Sequence, residues 1–190
     1  LIKFTNILSV KVNDDIKNQF LLLIQNRILI MNNEEINFTF GFIAFLENFI
    51  QTFSPNSQIY SNLNSFLKQY ILKLMQNKKN INLFYSNISS LLTITISKST
   101  IFDENLFQIL IEVVHIIKND FIVIKEFFEF INLSIIYCKQ IYNSENWIEL
   151  LNVLFSKTSS VLSTLLISSL IQSKIITISQ EMINSLFNTS

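Results

Sequence analysis

Apolar residues recur at steps of three and four along most of the chain. The clearest run is NFTFGFIAFLENFIQTF at 37 to 53, where Phe38, Phe42, Phe45, Phe49 and Phe53 follow one another at steps of four, three, four and four. That spacing places the rings on one ridge of an α-helix, with Ile43, Leu46 and Ile50 on an adjacent ridge. The opening NFTFGF alternates as a strand would, but the apolar pattern continues to Phe53 and its length favours a helix. Gly41 and Ala44 are small enough to leave room for a close neighbour. Core packing is the first reading of such a stripe, and a ligand groove is its rival.

The same periodicity predicts helices near 14 to 31, 37 to 53, 58 to 76, 81 to 97, 104 to 118, 120 to 142, 146 to 156 and 159 to 173, followed by a short terminal helix near 179 to 188. Acidic residues open many of these segments: Asp14 and Asp15, Glu34 and Glu35, Asp103 and Glu104, Asp120, and Glu145. Basic residues close them: Arg27, Lys78 with Lys79, Lys98, Lys118, Lys157 and Lys174. Both preferences follow the helix dipole. SPNS at 54 to 57, KND at 118 to 120 and NSEN at 143 to 146 supply turns.

Composition sharpens the class. Among 190 residues there is one Gly and one Pro, and tight hairpins and glycine-rich phosphate loops depend on both. The fold is therefore all-α. Fourteen basic and fourteen acidic residues balance to zero net charge, without the basic footprint of direct nucleic-acid binding. Cys138 is the single cysteine, so no internal disulfide or thiolate cluster can form, which fits a reducing compartment. The chain begins at Leu1 and carries no signal-peptide pattern, and residues 1–190 are read as one helical segment of a longer protein.

Few residues invite chemistry. His115 is the sole histidine, which removes a two-histidine metal site, and it falls with Glu104, Gln108, Glu112 and Asn119 on the polar side of its helix. Solvation explains it better than pairing as a base with Glu112. Cys138 follows the apolar run INLSIIY and reads as a small buried hydrophobe. The adjacent carboxylates Asp14 with Asp15, Glu34 with Glu35, and Asp103 with Glu104 sit at helix starts, where capping accounts for them. Lys78 and Lys79 are too short a doublet for a nucleic-acid patch. Asn37, Asn87, Asn132 and Asn188 open glycosylation-type triplets of the kind an Asn- and Ser-rich chain contains by chance. No catalytic, cofactor or metal residue is assigned, and no cofactor is expected.

A membrane span needs about 20 predominantly apolar residues. The run at 36 to 46 stops at Glu47, that at 80 to 97 contains Asn82 and Asn87, and that at 158 to 173 is broken by Ser163, Thr164, Ser168 and Ser169.

ENLFQILIEVV at 104 to 114 parallels ENWIELLNVLF at 145 to 155, and SNLNSFLKQYI at 61 to 71 parallels KNQFLLLIQNRI at 17 to 28. Asn18, Asn62, Asn105 and Asn146 are thereby spaced 44, 43 and 41 residues apart, with two predicted helices in each period. On this pairing the chain resembles the HEAT and armadillo families over roughly residues 14 to 173, whose units run to about 40 to 47 residues. The prolines and the arginine or aspartate positions that often mark HEAT units are missing. The long, irregular, weakly repeating pairs look similar to those of the importin and exportin class.

The resemblance implies a right-handed α-solenoid of antiparallel helix pairs, about four repeats plus a terminal helix. It further implies a non-enzymatic scaffold for other proteins, a nuclear transport receptor as the narrower expectation, in the cytoplasm or nucleus. The alternative from a different class is a membrane-embedded helical subunit of an organellar complex, suggested by the abundance of Phe and Ile.

Overall fold

The computed structural model describes residues 12–28, 36–55, 57–76, 81–137, 152–153, 156 and 161–172. Among these the backbone forms α1 (Asp14–Ile28), α2 (Ile36–Gln51), α3 (Ile59–Gln76), α4 (Tyr85–Ser99), α5 (Glu104–Asn119), α6 (Ile124–Tyr137) and α7 (Val161–Gln172), and no strand. Short 3-10 turns at Ile81–Phe84 and Phe121–Val123 lead into α4 and α6. The fold is all-α among the described residues, as the scarcity of Gly and Pro predicts. Of the segment predicted at 146 to 156 only residues 152, 153 and 156 are described, all helical, and 179 to 188 lies outside the described residues.

Helix ends show why the boundaries fall where they do. Asn13 Oδ1 accepts from the Ile16 N–H at 3.0 Å, and Asp103 Oδ1 accepts from the Leu106 N–H at 3.1 Å, satisfying donors that the first helical turn leaves open. Asp120 does the same for Ile122 at the 3-10 turn before α6. Asp14 and Asp15 thus lie inside the first turn of α1, while the cap itself is Asn13. Helix α4 closes on Thr100 in the left-handed conformation (φ 51°), its N–H bonded to the Ile96 carbonyl, a position usually given to glycine.

The chain forms two compact units, Leu1–Ile109 and Leu110–Ser190. In the first, α1 packs on α3 and α2 on α4, with a smaller contact between α3 and α4. In the second, α6 packs on α7. Within the first unit, therefore, the most extensive backbone approaches join alternate helices.

The aromatic ridge of α2 is core. Phe42, Phe45, Phe49 and Phe53 are buried, as are Ile43, Leu46 and Ile50; the Phe38 side chain lies outside the described residues. The Phe45 and Phe49 rings stack at 5.7 Å, and Phe20 of α1 meets both edge-on at 6.3 and 5.6 Å. On the other side, Phe42 meets Phe66 and Tyr70 of α3, and Phe53 meets Tyr60. Edge-to-face pairs at these separations add favourable quadrupole contact to the burial itself.

One sequence expectation is corrected. Gly41 and Ala44 admit no close neighbour: both lie on the exposed side of α2, and a methyl added at Gly41 would have nothing within 4 Å. Burial of α2 comes from its aromatic and aliphatic ridges, with Thr39 the one buried polar residue among its described side chains. Gly41→Ala is accordingly expected to stabilise the protein by about 0.5 to 1 kcal/mol through helix propensity and a less flexible unfolded chain. The urea midpoint of the variant, rising at unchanged slope, checks it.

Candidate functional site

Among the described residues, no nucleophile is shown beside His115 and Glu112. His115 is exposed on α5, its carbonyl accepting from Asn119 Nδ2 at 2.9 Å, and Glu112 is exposed one turn earlier. Glu104 Oε1 accepts from Gln108 Nε2 at 3.2 Å. Cys138, Glu34, Glu35, Glu145, Lys78 and Lys79 lie outside the described residues. No group of three or more His, Cys, Asp or Glu residues that could hold a metal occurs among the described residues. Nor is any described helix long and apolar enough to cross a membrane. Among the triplet asparagines, Asn132 is engaged: its Oδ1 accepts from Ser169 Oγ at 2.8 Å, linking α6 to α7.

What the structure does assemble is a polar knot at the end of α2. Lys17 of α1, only 5% exposed, donates from Nζ to the Thr52 carbonyl and lies 3.4 Å from Asp14 Oδ1. Lys98 of α4 donates to the neighbouring Gln51 carbonyl at 3.4 Å. Two cations from two helices thus reach the negative end of the α2 dipole, where the last carbonyls have no partner within the helix. Sequence reading assigned Lys98 to the end of its own helix and missed Lys17, because a lysine in a first turn carries no local signal of a partner 35 residues away.

Burial pushes the Asp14 carboxyl up. Hydrogen bonds from the Ser57 and Lys17 side chains, the Lys17 charge and a hydrogen bond from Ser54 outweigh that effect and hold it below its ordinary value of 3.8. A depressed carboxyl stabilises the fold at pH above its unfolded value, and that contribution disappears as pH falls through its folded value. The stability difference between the parent and Asp14→Asn should therefore be constant near neutrality and shrink below pH 3.8. Urea midpoints across that range measure it, and a difference independent of pH would contradict the assignment.

A second cross-helix contact links residues of one type. Asn62 Nδ2 of α3 donates to Asn18 Oδ1 of α1 at 2.9 Å, across a sequence separation of 44. These are the first two members of the asparagine series found in the sequence.

Two further features bear on binding. Ile16, Leu22 and Leu23 on α1, and Val161 and Leu165 on α7, are exposed aliphatic side chains. Inside the first unit, both amide atoms of Asn64 are buried without a hydrogen-bond partner, as are the hydroxyls of Tyr60 and Tyr70. Burial and the Asp14 carboxylate push the Tyr60 hydroxyl pKa up to about 12, and burial alone raises that of Tyr70. Both are neutral phenols at physiological pH. The arrangement holds helix faces in register and presents aliphatic positions on them.

No family model, curated protein or solved structure matches the chain.

Proposed function

We propose that the chain is a helical-repeat segment of the HEAT or armadillo type, a non-enzymatic scaffold that binds other proteins through its exposed helix faces. The observation that carries this reading is the Asn18–Asn62 hydrogen bond at a separation of 44. A repeat of paired helices stacks like on like, so equivalent residues of successive units come into contact one period apart. The packing of α1 on α3 and of α2 on α4 supports the same arrangement.

Side-chain contacts support the helix directions. Asp14 lies by Ser57 and Tyr60, and Asn18 by Asn62, so α1 and α3 advance together. Phe53 meets Tyr60 while Phe42 meets Tyr70, so α2 and α3 run in opposite senses. Helix α4 reaches the end of α2 through Lys98, and Phe84 just before α4 packs on Phe40 near the start of α2. These directions support antiparallel helix pairs, and the right-handed α-solenoid is what the resemblance implies for them. The nuclear transport receptor is the narrower reading, carried by the resemblance of the long, irregular pairs to those of importins and exportins.

The stacking contact has a measurable coupling. In a double-mutant cycle, Asn18→Ala and Asn62→Ala should couple by about 0.5 to 1 kcal/mol in urea unfolding, the net worth of a neutral hydrogen bond at a partly solvated site. Additive single losses would remove the contact from the argument.

Binding is tested by photo-crosslinking in cells from probes placed at Leu23 and Leu165. Discrete protein adducts are expected. The absence of protein adducts from either position, or adducts with nucleic acid or lipid instead, would overturn the scaffold reading.

A further inference from the structure

The polar knot at the end of α2 has one serine that faces solvent. Ser54 is exposed and lies just past the last turn of α2, ahead of Pro55, the single proline of the chain. Its carbonyl accepts from the Ser57 N–H at 3.3 Å, closing a turn in which Pro55 takes the second place, where its fixed φ suits. A residue before proline is biased towards extended backbone, the form in which a kinase cleft takes its substrate. Ser61, Ser86, Ser90, Ser97 and Ser156 are exposed too, but each lies in a helix. Among the described residues, Ser54 is therefore the one exposed serine outside a helix.

Its hydroxyl is also tied to the fold. It donates to the Asp14 carboxylate, which accepts from the Ser57 and Lys17 side chains as well. Lys17 in turn donates to the Thr52 carbonyl, and Lys98 reaches the Gln51 carbonyl at 3.4 Å. The start of α1 is thus fastened to the end of α2 and to the turn after it. A dianion on Ser54 would strike this fastening twice. It takes a hydrogen-bond donor away from Asp14, and it sets like charge beside that carboxylate at a helix end whose dipole is already negative. Lys17 is buried and committed to its two oxygens, so the half-buried Lys98 is the cation left to approach the phosphate.

We propose that Ser54 is a phosphorylation site for a proline-directed serine kinase, and that its phosphate releases the start of α1 from the end of α2. In the transfer, Ser54 Oγ forms a bond to the γ-phosphorus of ATP as the bond from that phosphorus to the β,γ-bridging oxygen breaks. ADP departs, and the hydroxyl proton passes to the catalytic base of the kinase. The product carries about −1.5 to −2 charge at neutral pH. Asp14 then faces a phosphate where it had accepted a hydroxyl. The contacts at the end of α2 exist whatever the repeat architecture, so the switch stands or falls apart from it.

The test treats the full chain with ATP and a purified proline-directed serine kinase, and locates the phosphoryl group by tandem mass spectrometry. Transfer to Ser54 of the folded chain is expected, and Ser54→Ala should abolish it at that position. In urea unfolding, the phosphorylated chain should show an unfolding constant raised about five- to thirtyfold, a large change for a marginally stable fold. Asp14→Asn should shrink that ratio, because the repelled charge is gone, and Lys98→Ala should enlarge it. Ser54→Glu should shift the unfolding constant in the same direction without any kinase. No transfer to Ser54 of the folded chain overturns the inference, and so does transfer to a peptide of residues 50 to 58 that the folded chain does not share. A phosphorylated chain as stable as the parent, or more stable, overturns it as well. A destabilisation that Asp14→Asn leaves unchanged would overturn the release of α1 through Asp14.

Discussion

Phe49→Ala is expected to destabilise the first unit by about 3 to 5 kcal/mol, the cost of truncating a buried aromatic side chain and leaving part of its volume empty. Phe49 is fully buried, and its ring touches Phe20, Phe45 and Phe53. Because Phe20 belongs to α1, the cavity would open between α1 and α2, beside the Phe53 ring that leans on Tyr60 of α3. Close-packed interiors relax only partly around such a loss. Phe45→Ala should cost a similar amount, since Phe45 is also buried and packs on Phe20, Phe42 and Phe49. Urea unfolding monitored by circular dichroism gives both values. A loss below about 1 kcal/mol, the range of ordinary surface changes, would place these rings outside the core and return the stripe to the groove reading.

The opposite sign is expected at Asn64. This residue is 0% exposed, and neither its amide oxygen nor its amide nitrogen has a hydrogen-bond partner. A buried polar group left unsatisfied costs about 1 to 3 kcal/mol. Asn64→Leu nearly preserves the volume and removes both orphan atoms, so it should stabilise the protein by about 1 to 3 kcal/mol. The proposed repeat register points the same way: the residue of α1 that would correspond to Asn64 across the Asn18–Asn62 contact is Phe20, an aromatic packed on Phe45 and Phe49. The urea midpoint of Asn64→Leu should rise. A fall of comparable size would mean that Asn64 holds a partner such as a buried water.

Much of this architecture was legible because helices announce themselves locally. Phe42, Phe45, Phe49 and Phe53 are buried as their spacing implied, and Asp103 and Asp120 cap as their positions before apolar runs implied. The 44-residue spacing of Asn18 and Asn62 was visible in the sequence, and their side chains meet. Other features were not legible. Lys17 reads as an ordinary polar residue at a helix start, and only the approach of the α2 carboxyl-terminal carbonyls makes it a buried clamp. Asn64 looks like one more asparagine in an asparagine-rich chain. Gly41 seemed to mark a close approach because glycine often does, yet its side of α2 faces open space. In each case the missing information was what the rest of the fold places, or fails to place, beside the residue.

The central claim, that α1 and α3 are equivalent helices stacked in a 44-residue register, is tested most directly by nuclear Overhauser contacts from the Asn62 side-chain amide in the full chain. The account predicts cross-peaks from the Asn62 Nδ2 protons to the side chain of Asn18, accompanied by contacts between Tyr60 and the first turn of α1. With both asparagines assigned, cross-peaks from Asn62 to other helices and none to Asn18 would contradict it.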